Sequence, residues 1–483
     1  MQKPKIYSLG LLIIFLMLSI LSVCQLDLSS PPQYDLNLNS DDNQEYWSTF
    51  IKSGPQFHDS TMVLIDNHTY VMGSIGEYYT SDDIYIAKFN SSGAKLWEQT
   101  WGGSEYDVFK GYAVDSENNI YIVGITDTFF VGDSGNIFLL KYNTIGNLLW
   151  SEMIDPFSSN YYAIHSINID LNDSVYLTCK MDDYTIEKSF ITKISTSGII
   201  LWTQEIELTD QPFDLSTEID SDGNIYLLGH SLSSFLLKLN SSCSRQWNYE
   251  WGERNYAYEM GLDLDENIIL TGSTTNLDYD YNINHDVWIM KINSSGNLTN
   301  KVTCKNINSH QIKIKVWFLD DIFIIISKRT TSFRSFLLKY NYSLNSMWNF
   351  TFDTNNWYYN FGINSKHEMY LLYSNYPKID IIHFNSSNII SYFEWGGYYS
   401  TNLHSFGIDS NDNLYILCNN NYANVWYETT SLSVLVKNPK IDGRAPQLNQ
   451  PIDDRDIFIF SLLGVMSFIS VILVYNTLKP KLR

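Results

Sequence analysis

From residue 45 to residue 438 the chain alternates short apolar runs with turns of Asn, Asp, Ser and Gly. NIYIVG at 119–124 and IFLLKYN at 137–143 are two such runs, each too short for a helix and rich in β-branched and aromatic residues. Four runs form a unit, here termed strands A to D in chain order, and the unit recurs about every fifty residues. This predicts four-stranded antiparallel meanders. A lone meander leaves apolar surface uncovered, whereas meanders stacked radially around an axis bury both faces.

Recurring residues count the units. Strand A ends in an acid at Asp115, Asp170, Asp220, Asp263 and Asp409. Strand C carries Lys88, Lys141, Lys193, Lys238, Lys291, Lys339 and Lys437, with His383 in the remaining place. Strand D carries Trp47, Trp97, Trp150, Trp202, Trp247 and Trp348, with Asn300 and Tyr392 in the other two places. Trp47 has no A, B or C strand before it, and Lys437 has no D strand after it. Residues 46–52 are therefore expected beside 431–437 in a composite blade. The expected fold is all-β, an eight-bladed β-propeller closed by its N-terminal strand. Units six and seven read FLDDIFIIIS and NSKHEMYLLY instead of Asp-x-x-Gly-Asn, which keeps seven blades as the alternative.

DSENNIYIVG at 115–124 and DSDGNIYLLG at 220–229 resemble the A–B hairpin of the propeller repeat families SBBP and NHL. FNSSGAKLW at 89–97 is similar to the tryptophan repeat of quinoprotein (PQQ-like) propellers, in which Trp docks neighbouring blades. The resemblance covers residues 46–438 and implies a scaffold used mostly for binding. A quinoprotein would be an oxidoreductase, often with adjacent cysteines. Cys24, Cys179, Cys243, Cys304 and Cys418 include no adjacent pair and no CxxC, so a disulfide scaffold and a zinc site are not indicated.

The ends differ from the body. Lys3 and Lys5 precede the apolar run 9–24, so 1–24 reads as a signal peptide or an N-terminal anchor. Residues 25–44 and 439–456 are polar linkers around a propeller at 45–438. Residues 457–475 form an uncharged apolar segment, which as a helix spans roughly 28 Å, one bilayer core. Asp453, Asp454 and Asp456 precede it; Lys479, Lys481 and Arg483 follow. This predicts a transmembrane helix with 476–483 as a cytoplasmic tail and the propeller extracellular. The net charge of −22 repels phosphate backbones and argues against nucleic acid.

Candidate chemistry is sparse. The nine histidines are scattered, with no HExxH and no GxSxG, so no catalytic residue is assigned. Asp278, Asp280, Asn282, Asn284 and Asp286 alternate, which in an extended segment puts oxygen ligands on one side, suited to calcium. The Asp ending each strand A reads as a turn residue, and the repeated Lys and Trp as blade-packing elements. Nine sequons occur, at Asn67, Asn90, Asn172, Asn240, Asn293, Asn297, Asn341, Asn349 and Asn385. Most lie in A–B or C–D turns, which share one rim of a meander. The opposite rim carries WGGSEYD, WGERNYAY and WGGYY, giving Trp101, Tyr106, Trp251, Tyr256, Trp395 and Tyr398 as candidate ligand-binding residues. The expected function is a cell-surface binding module for an extracellular protein or glycan. The alternatives are a structural envelope component and a quinoprotein-like oxidoreductase.

Overall fold

The computed structural model describes residues 47–437, apart from 55, 77–81, 128–135, 155–161, 183–186, 207–213, 231–233, 252–253, 278–282, 309–310, 319–320, 330–332, 354–358, 376–377, 386–388, 396–399 and 424–428. Its strands pair antiparallel in four-stranded sheets. Seven sheets are each built from four consecutive strands: sheet one spans Gln56–Trp101, two Asp107–Ile154, three Tyr162–Ile206, four Asp214–Glu250, five Asn255–Asn308, six Gln311–Asp353 and seven Tyr359–Trp395. The composite sheet joins Trp47–Gly54 to the last three strands, Ser400–Ile408, Leu414–Ala423 and Thr429–Lys437. Trp47 pairs with Lys437 and Gly54 with Ser431, close to the expected register.

The first strands lie innermost. Strand A of each sheet packs beside strand A of the next from sheet one to sheet six, and the composite sheet's strand A packs beside those of sheets seven and one. Sheets six and seven meet through Phe323, Ile325 and Leu337 against Phe361 and Met369. Ile51, from the N-terminal strand, is buried with Met62, Val71 and Tyr415, so the two chain ends share a core. The chain is an all-β propeller of four-stranded antiparallel blades.

Strands B and C are apolar on both faces because both faces are covered by neighbouring sheets. In sheet two, Tyr121, Ile122, Val123, Phe138, Leu139 and Leu140 are all fully buried. Each such side chain is worth about 1.5–3 kcal/mol of transfer free energy. Strand D is the outer edge: Lys95–Trp101 is mostly exposed.

The repeated residues form a clamp that recurs from sheet to sheet among the described residues. In sheet two, Asp115 Oδ1 accepts from the backbone N–H of Glu117 and Asn119, closing the A–B turn. Lys141 Nζ lies 3.0 Å from Asp115 Oδ2 and 4.7 Å from the Tyr121 ring centre. It also donates to the Thr196 carbonyl in the C–D turn of sheet three at 3.3 Å, and Trp150 Nε1 donates to the same oxygen at 3.0 Å. Gly198 of that turn lies so close that a Cβ there would sit 3.1 Å from the Trp150 ring. Lys88 and Trp97 hold Thr144 in the same way, and Lys238 and Trp247 hold Ser294. Lysine and tryptophan thus join sheet one to two, two to three and four to five, as expected of packing elements.

The divergent sheets keep the clamp with other residues. Asp321, Phe323 and Lys339 occupy it in sheet six, with Lys339 Nζ 2.8 Å from Asp321 Oδ2. In sheet seven Asn364 closes the turn, Glu368 meets His383 at 3.3 Å, and His383 stacks on Tyr370 at 4.3 Å. One assignment is corrected there. The residue opposite His383 is Ser391, not Tyr392, because the C–D connection of sheet seven, 385–388, is one residue shorter than the five of 143–147 in sheet two.

Candidate ligand-binding rim and axial channel

The two rims are built differently. A–B and C–D turns share one rim, and most are five residues long, as at 115–119, 143–147, 195–199 and 240–244. This rim is stitched between sheets. Ser116 donates through N–H and Oγ to Asp173 of sheet three, Ser365 does the same to Asp412 of the composite sheet, and Asn411 donates to Asn67 of sheet one. On the other rim the B–C connections range from two residues (376–377) to nine (127–135), and the D–A connections from one (55) to seven (155–161, 207–213).

Sequons on the stitched rim have a local cause. Asn90 Oδ1 accepts from the backbone of Ser92 and Ala94, and Asn240, Asn293 and Asn341 repeat this geometry. Asn143, which is not in a sequon, makes the same turn. Asparagine is there because its side chain closes the turn. Asn67, Asn172, Asn297, Asn349 and Asn385 are exposed.

The candidate aromatic residues on the variable rim separate into two groups. Trp251 is only 7% exposed, stacks on Trp288 at 5.9 Å and donates Nε1 to Met290 Sδ. Its ring belongs to the core and is not available to an incoming ligand. Trp101 is half-buried, with its ring centre 4.6 Å from that of Phe138 in sheet two. Tyr106 and Tyr256 are half-buried and keep part of their surface. Trp395 ends strand D of sheet seven with its side chain outside the described residues, as is Tyr398.

Around Trp101 the loop is ordered by carboxylates. Gly103 N–H donates to Asp107 Oδ2, and Asp107 N–H donates to the Asp82 carbonyl. Gly102 passes between Asp83 and Asp107 where a Cβ would collide with both. Of the calcium candidates, Asp278, Asp280 and Asn282 lie outside the described residues. Asn284 pairs with Asn276 and Asp286 with Thr274 in the strand that follows. Among the described residues no group of three or more His, Cys, Asp or Glu could hold a metal ion.

The axial channel holds residues that no sequence motif singled out. Five innermost strands carry a bulge at one level, after His58, Phe109, Ile164, Ala257 and Leu403. The extra residues are Asp59 with Ser60, Lys110, His165, Tyr258 and His404. His404, Asp59, Lys110 and His165 stand on four successive innermost strands, and Lys110 Nζ lies 3.6 Å from Asp59 Oδ2. Bulges re-aim side chains, so this band is a second place where polar groups converge. A signal was present: Lys110, His165, Tyr258 and His404 each fall five residues before the acid ending strand A.

Glu218 and Glu259 occupy the neighbouring innermost strands of sheets four and five. Burial, then the Glu259 carboxylate, push Glu218 up to about 7. A carboxyl raised on folding resists ionisation, so it costs stability as pH rises towards and beyond that value. Glu218→Gln is expected to raise the melting temperature at pH 8 and to change it less at pH 5. Equal shifts at both pH values would contradict this.

No known protein family matches the chain, and no curated protein matches it. Solved structures do. A catalytically inactive virginiamycin B lyase from Staphylococcus aureus, solved with quinupristin, is 12% identical over 68% of this chain and 94% of its own, with a TM-score of 0.42. Polysaccharide lyase Uly1 is 8% identical over 85% and 95%, with a TM-score of 0.43. The WD40 domain of Neurospora crassa Pan2 is 9% identical over 70% and 91%, with a TM-score of 0.40. At these values the likeness carries no argument about activity. The class is set by the sheets themselves: a β-propeller.

Proposed function

We propose that the chain is an eight-bladed, membrane-tethered propeller of the cell surface. Its variable rim binds an extracellular protein or glycan. The observation that carries this reading is the contrast between the rims. One is uniform and stitched blade to blade; the other has connections of one to nine residues, the place where binding residues concentrate on a rigid scaffold. Eight four-stranded sheets that meet in succession, sheets six and seven through Phe323, Ile325 and Leu337 and the others through their innermost strands, support the blade count. The apolar segment 457–475, flanked by acids before and bases after, supports the tether and an outside body.

Tyr106 and Tyr256 are the rings best placed to stack on sugar or to meet a cation. The full chain is screened on an array of glycans and basic peptides. For any ligand found, Tyr106→Ala with Tyr256→Ala is expected to weaken binding about tenfold or more. Asn90→Gln with Asn240→Gln and Asn293→Gln is expected to leave it unchanged. The reverse pattern in folded variants would place the ligand on the other rim. Protease added to intact cells is expected to remove the propeller and spare 476–483; a propeller protected until lysis would defeat the outside placement.

A further inference from the structure

Exposed large apolar side chains are one-sided on this molecule. Thirteen occur among the described residues, and one of them, Tyr258, belongs to the axial band. The other twelve lie in A–B or C–D turns or in the first two residues of strand D. All twelve are thus at the stitched rim. They concentrate on sheets two and three, where Ile145 is 69%, Leu171 78% and Ile199 64% exposed. Leu149 and Leu201 flank them at 49% and 52%.

The repeat does not require these residues. Leu148 and Leu149 precede Trp150, whereas Arg245 and Gln246 hold the same places before Trp247. Sheets two and three also have the C–D turns without a sequon: 143–147 reads NTIGN and 195–199 reads STSGI. Scattered apolar residues need no explanation, but a cluster confined to one rim marks a contact surface.

We propose that this corner of the stitched rim rests on a lipid bilayer, with Ile145, Leu149, Leu171, Ile199 and Leu201 in the interfacial layer. Three observations select a bilayer as the occupant. The side chains stand on turn tips and on the starts of outer strands, which suits shallow insertion beneath headgroups rather than a groove fitted to one partner. Strand C of the composite sheet runs towards the stitched rim, so the chain leaves the propeller there at Lys437. Beyond it the apolar segment begins at residue 457, and the nineteen residues between reach up to about 60 Å when extended, enough to let that rim settle on the membrane. The proposal takes from the tethered reading only which rim faces the membrane.

The test uses the full chain in phosphatidylcholine vesicles, with an environment-sensitive fluorophore on Ile145→Cys or Ile199→Cys, and on Glu105→Cys at the opposite rim. The labels at 145 and 199 are expected to shift to the blue and to be quenched at least twofold by lipids spin-labelled near the headgroup. The label at 105 is expected to do neither. Equal quenching at both rims, or none at 145 and 199, would overturn the proposal. So would a blue shift that needs no lipid and grows with protein concentration, which would mean contact between two copies. Extraction of the unlabelled chain by alkaline carbonate defeats the tether and leaves the quenching result to be judged separately.

Discussion

A chain lacking residues 45–54 is expected to lose its cooperative thermal transition, or to melt at least 10 °C below the full chain. The N-terminal strand supplies the outer strand of the composite sheet and pairs along Thr429–Lys437 through seven residues from Trp47 to Gly54. Its removal uncovers a long edge of unpaired backbone groups, a template for aggregation. It also strips Ile51, only 3% exposed, from the core shared with Met62, Val71 and Tyr415. Because the composite sheet packs against sheets seven and one, the damage reaches both neighbours. Calorimetry checks this, and a synthetic 45–56 peptide added in trans is expected to recover part of the transition. A truncated chain that melts within 2 °C of the intact one would show that closure does not depend on this strand.

Replacing Lys141 by Met is expected to destabilise the propeller by about 3–5 kcal/mol, the usual cost of leaving one partner of a buried ion pair alone. Lys141 and Asp115 are 7% and 2% exposed in their side chains, and Met cannot serve Asp115 Oδ2 or the Thr196 carbonyl. The loss is expected to depend on pH. Burial by itself would raise the Asp115 carboxyl, but hydrogen bonds from Asn119 and Lys141 outweigh it and hold the group below the ordinary aspartate range. Asp170 and Asp263 are lowered in the same way by their turn amides and by Lys193 and Lys291. A carboxylate lowered on folding adds stability that is present above the unfolded value near 4, and this is lost as pH falls through the folded one. The gap between wild type and variant should therefore be full at pH 6–8 and shrink below pH 4. Urea titrations across that range measure it. The double variant Asp115→Asn with Lys141→Met should cost less than Lys141→Met alone, since no charge is then stranded. A single variant within 1 kcal/mol of wild type would mean that the clamp is not what joins the blades.

The clamp also shows why parts of the fold were legible. A residue that does the same job in every blade recurs at a fixed place, so Lys and Trp were visible as a count before their contacts were known. Their partner was not, because it is a backbone carbonyl in the next blade, and any residue supplies one: Thr144, Thr196 and Ser294 give it in three turns and Tyr342 gives it in a fourth. Sheet seven was harder for the same reason. Asn364, Glu368 and His383 together hold the turn in place of one Asp and one Lys, and no single substitution announces that.

The sequence by itself determined the strand class, the four-strand unit, the turn role of the repeated Asp and the pairing of the chain's two ends. Each of these follows from short-range periodicity or from turn chemistry, which act within a few residues. Only the tertiary structure decided that Trp251 is a core ring while Tyr106 keeps a surface. It also decided that Asp59, Lys110, His165 and His404 stand at one level on adjacent innermost strands, and that the exposed apolar residues share one rim. Burial, channel lining and rim membership are properties of which sheets become neighbours around the axis. That adjacency joins residues fifty or several hundred positions apart, as Asn67 and Asn411 do, and no local pattern encodes it.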